Sequence, residues 1–79
     1  RSGTSIGAMV EEATQAESNA DFIHKLSIAN KEANETRYWI KLLRDTDFID
    51  DKYALSLITD CEELIKLLVS IIKTSKNKL

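Results

Sequence analysis

Between Phe22 and Leu43 the chain places Phe22, Leu26, Ala29, Ala33, Thr36, Ile40 and Leu43 at alternating steps of four and three. An α-helix turns once per about 3.6 residues, so side chains at that spacing stack on one face. A face kept in phase over such a length needs a second helix to cover it. Ala54, Ile58, Cys61, Ile65, Leu68 and Ile72 repeat the same spacing and supply the partner. The chain has no Pro, and its only glycines are Gly3 and Gly7. From Ala8 onward nothing breaks a helix strongly, which predicts an all-α protein. With 43% hydrophobic and 30% charged residues the composition is that of a folded chain. Seventy-nine residues give one domain, 1–79, near the lower size limit for a self-sufficient core.

Three helices are predicted, at about 2–13, 19–44 and 51–75. Ser18 or Asn19 suits the N-cap of the second, because a side-chain oxygen there accepts from an unpaired amide of the first turn. Asp21 favours the positive end of the helix dipole. Asp50 or Asp51 should cap the third helix, and the segment from Lys76 onward should fray. In the turn 45–50, Phe48 and Ile49 are expected to fold back onto the bundle.

Charge is sorted along the chain. Residues 45–63 hold seven acids and one lysine, whereas Leu64–Leu79 holds Lys66, Lys73, Lys76 and Lys78 and no acid. Such a third helix follows its own dipole. Antiparallel to the second, it would set its acidic start beside Lys41 and Arg44 and its basic end beside Glu17 and Asp21. An up-down hairpin is therefore predicted, with charge choosing orientation more than adding stability. The third helix also has more apolar surface than one seam uses: Leu57, Leu64 and Ile71 recur every seven residues, and Leu67 and Val69 widen the face. That surplus predicts further helices or self-association.

Little in the sequence points to chemistry. Cys61 lies in the apolar seam and has no cysteine to pair with, as expected of a small core side chain. His24 is the sole histidine; Asp21 three residues before it resembles half of a carboxylate-bridged di-metal motif, but such a site needs two histidines and further carboxylates. No catalytic, metal or cofactor residue is assigned, no enzyme is expected, and no small-molecule substrate is evident. The longest apolar stretch, Leu64–Ile72, is interrupted by Lys66 and Ser70 and falls short of the ~20 residues that span a bilayer. No membrane span or secretory leader is read, so a cytoplasmic protein is expected.

Two groups remain as interaction candidates. Glu32 and Glu35 are placed to pair with Arg37 or Lys31 along the helix surface. Tyr38 and Trp39 stand off the main seam, one turn after Glu35; they read either as an aromatic anchor on a solvated face or, with Glu35, Leu57, Leu64 and Ile71, as candidates to bury against a neighbouring subunit. Lys73, Lys76 and Lys78 are candidate RNA contacts, against the plainer reading that cations gather at a helix C-terminus. The net charge of −2 and pI near 5.3 give no overall attraction for nucleic acid.

Several blocks carry a resemblance. Thr4–Ala8, Val10–Ala13, Asp21–Ala29, Lys31–Ala33, Glu35–Thr36 and Tyr38–Ile40, with Glu62–Leu64, Leu67–Leu68 and Ile71–Thr74, resemble the bacterial four-helix-bundle proteins linked to 23S rRNA intervening sequences. The resemblance implies an up-down four-helix bundle that assembles as a homo-pentamer without enzymatic activity. It also implies that the family's first long helix is absent from this chain, which starts at Arg1 without a Met, and that the domain is N-terminally incomplete. The expected function is a noncatalytic, self-associating scaffold or interaction module. The alternative is an RNA-binding assembly factor associated with rRNA or a retroelement.

Overall fold

The computed structural model describes the backbone of residues 2–15 and 18–77, and the side chains of those residues from Gly7 onward. Three α-helices follow one another: α1 (Ser2–Thr14), α2 (Asn19–Asp45) and α3 (Asp51–Asn77). The described residues form no strand. At about 1.5 Å rise per residue α2 and α3 are each about 40 Å long, which sets the 45 Å long axis of the molecule.

Local chemistry explains the boundaries. The Ser18 hydroxyl accepts from the Asp21 amide at 3.1 Å, so Ser18 caps α2. An Asp50 carboxylate oxygen accepts from the Lys52 amide at 3.1 Å and, more loosely, from the Tyr53 amide at 3.4 Å, so Asp50 caps α3. The C-terminus of α2 closes in a Schellman motif: the Phe48 amide donates to the Leu43 carbonyl at 2.8 Å and the Asp47 amide to the Arg44 carbonyl at 3.1 Å. That motif requires a left-handed residue, and Asp47 takes it with φ 63°. The same geometry corrects the expectation for Phe48, which turns outward and is 76% exposed. Ile49 alone folds back, against Ile40, Ala54 and Ile58. α3 also reaches Asn77, beyond the fraying expected from Lys76.

α2 and α3 form the antiparallel hairpin. The Asn19 side-chain amide donates to the Ser75 carbonyl at 3.0 Å, joining the start of α2 to the end of α3. Midway, Arg37 reaches Glu62 at 3.6 Å. α1 lies along the other flank of α2, where Lys25 pairs with Glu12 at 2.9 Å. Lys25 and Arg37 are twelve residues apart in sequence, hence about 120° apart around α2. α2 is therefore central, and among the described residues α1 and α3 have no Cα atoms within 8 Å of each other.

The core follows the seams. Leu26, Ala29 and Ala33 of α2 are buried with Ala13 of α1 and Leu68 of α3, and Met9, Val10, Leu64, Ile65, Ile71 and Ile72 pack around them. Ala29 and Ala33 are fully covered because their small side chains let those of α1 and α3 lean across α2. A second cluster, Ile40, Ala54 and Ile58 with Ile49, Leu57 and Cys61, fills the turn end of the hairpin. Thr36 keeps its place in the seam by donating its hydroxyl to the Glu32 carbonyl at 2.8 Å. Leu43, the last seam position, is 40% exposed: α2 is already closing into its C-cap there.

Candidate assembly interface

α1 is only thirteen residues long and runs beside the first half of α2, so along the second half only α3 is in place. Part of the uncovered surface of that half is apolar, beside the exposed Glu35, Lys41 and Asp45. Tyr38 and Trp39 are 60% and 55% exposed, and Leu42 and Leu43, one turn further on, are also exposed. The Tyr38 and Trp39 rings meet edge to face, with centroids 5.4 Å apart and planes at 74°. That contact fixes two large rings on the outside of the molecule. Glu35 is exposed one turn before them.

The other expected interface residues are placed differently. Leu57 is half-buried against the turn-end cluster, and Leu64 and Ile71 are half-buried against the cluster that α1 joins. These three thus serve the chain's own core on one side and present a remaining edge on the other. Leu67 and Val69 are exposed. The surplus on α3 is real but shared, a distinction that helical periodicity does not carry.

The polar pattern departs from expectation in its partners. Arg37 does not pair with Glu32 or Glu35; its guanidinium donates to the Asn34 side-chain oxygen at 3.0 Å and reaches Glu62 across the hairpin. Asn34 in turn donates to the Asn30 carbonyl at 2.8 Å. A part-buried polar line along α2 thus meets α3 at Glu62. Arg44 pairs with its neighbour Asp45 at 3.2 Å and not with the start of α3. The expected pairing of Glu17 lies outside the described residues.

Among the described residues no three His, Cys, Asp or Glu side chains converge as a metal site, and His24 is exposed. An open depression at the hairpin turn is lined by Arg44, Asp45, Asp47, Asp51 and Leu55. Cys61 is half-buried beside Ile58, and desolvation pushes its thiol above the ordinary value despite the nearby Arg37. Such a thiol is a poor nucleophile. Lys66, Lys73 and Lys76 are exposed, and none is in an ion pair among the described residues; Lys78 lies outside them. No described helix is long and apolar enough to cross a membrane.

Comparisons with known proteins match this geometry to a family. Residues 1–70 match the family model described as 23S rRNA-intervening sequence protein. The chain is also similar to a crystal structure from Bacteroides thetaiotaomicron, of a protein with unknown function from the S23 ribosomal protein family. The two are 59% identical with a TM-score of 0.90, over 92% of this chain and 68% of that one. No curated protein matches the chain.

Proposed function

This chain belongs to the 23S rRNA-intervening sequence protein family, and from that premise we propose that it is a noncatalytic, self-associating helical-bundle protein that acts as a scaffold or interaction module. The observation that carries the reading is the exposed Tyr38–Trp39–Leu42–Leu43 strip on α2. A small monomer gains nothing from four contiguous apolar side chains in water, whereas an interface gains most from aromatic anchors at its centre.

The helix arrangement supports the same reading. A central helix flanked at a wide angle by two helices whose Cα atoms stay more than 8 Å apart leaves three corners of a square occupied. The fourth corner borders α1 and α3, where Met9, Leu64 and Ile71 still show an edge. A fourth helix there completes an up-down four-helix bundle. With that corner filled, the strip on α2 remains available on the outside for subunit contacts in a homo-oligomer, which the family resemblance suggests is a pentamer.

Trp39→Ala tests the reading. It is expected to weaken association by about 2 kcal/mol, roughly thirtyfold, while the thermal midpoint of the dissociated chain changes little. Equal loss of folding and association would make Trp39 an ordinary core residue and remove the proposed interface.

A second reading rests on the basic end of α3. Lys66, Lys73 and Lys76 are exposed, form no ion pair among the described residues and lie on a stretch of α3 that carries no acid, and an oligomer would repeat them, which suits RNA phosphates. Changing Lys73, Lys76 and Lys78 together to Gln is then expected to weaken binding to structured RNA and flatten its salt dependence. Unchanged binding would remove this surface.

A further inference from the structure

One flank of α3 meets the hairpin only at its rim, where Asp51 and Leu55 line the depression at the turn and Glu62 faces Arg37, and a fourth bundle helix beside α1 would not cover it. Leu55 and Val69 are 61% and 37% exposed. At about 100° per residue they fall near one another around α3, and Leu55 lies about 160° from Leu57, which packs inward. They therefore stand on the outer edge of the molecule. The same edge carries Asp51 near the helix start and Lys73 near its end, both exposed. Leu55 and Val69 are each seven residues from Glu62, and Asp51 and Lys73 are each eleven from it. One antiparallel register centred on Glu62 therefore sets leucine against valine and aspartate against lysine, twice over.

We infer that a second copy of this chain docks antiparallel along the outer edge of α3, about a two-fold axis at Glu62, pairing Leu55 with Val69 and Asp51 with Lys73 of the other copy. Charge selects the orientation. A parallel copy would set acidic start against acidic start and basic end against basic end. The two Glu62 carboxylates that meet near the axis are each approached by Arg37 of their own chain at 3.6 Å, which offsets their repulsion. Such a contact is isologous and closes on itself. It rests on the proposed self-association and names a surface distinct from the Trp39 strip.

The test uses the whole chain with Cys61→Ser. Leu55→Cys combined with Val69→Cys is expected to give a disulfide-linked dimer on mild oxidation, since the two positions are about 21 Å apart within one helix and cannot join internally. Leu55→Cys with Leu67→Cys, on different flanks, is expected not to. In the uncrosslinked chain, Asp51→Lys or Lys73→Glu alone should weaken association about tenfold, and the two together should restore it. A chain that associates but shows neither the selective crosslink nor the charge rescue overturns this surface and leaves the proposed function standing. A chain that remains monomeric at all concentrations overturns both.

Discussion

At the scale of single residues, Asp47 is the clearest point of strain. It occupies the left-handed position of the Schellman motif with φ 63°, a conformation that glycine adopts without cost and L-residues do not. Asp47→Gly is expected to stabilise the chain by about 0.5–1 kcal/mol, read as a higher thermal midpoint; a lower midpoint would mean that the carboxylate contributes more than the backbone strain costs. Cys61 gives a pH prediction. Because burial raises its thiol, the thiolate forms only at higher pH than in a free cysteine, so alkylation of the folded chain should be slower near neutrality and should accelerate later as pH rises. Alkylation as fast as in the urea-unfolded chain would contradict the burial. The cap of α2 was legible to within one residue, Ser18 or Asn19, because a short polar side chain before an apolar run suits that position, and the structure gives it to Ser18. The outward turn of Phe48 was not, because its direction depends on the backbone angle of Asp47, which sequence pattern does not encode.

At the scale of elements, the two seams predicted α2, α3 and their pairing, and the sorted charge predicted its antiparallel sense. Periodicity reports which face is buried, and Leu26, Ala29, Ala33, Ile40, Ala54, Ile58 and Leu68 are the buried positions it selects. It reports less well how far a seam extends: Leu43 is exposed because α2 terminates beside it. Charge partners were less legible still. Arg37 has acids one turn away on its own helix yet reaches Glu62, because the hairpin register, set by packing, brings that carboxylate within range. Ile65 tests the packing. It sits among the side chains that cover the main cluster, so Ile65→Asp puts an unpaired charge there and should cost about 3 kcal/mol. Little change in the far-UV melting curve would show that the position faces water.

At the scale of the whole molecule, the described residues bury few large side chains: of the eight buried apolar residues, four are alanines. Three helices with that core and with exposed Tyr38, Trp39, Leu55 and Leu67 form a layer 13 Å thin in its shortest dimension. On the proposed reading such a layer gains further burial from other helices, among them copies of the same chain. The alanines that let α1 and α3 lean over α2 thus also limit what the chain can do alone. Sedimentation equilibrium of the unmodified chain across micromolar concentrations tests this most directly. The account predicts an assembly whose mass is a multiple of 8.9 kDa. A stably folded monomer of 8.9 kDa that melts cooperatively over that whole range would contradict it.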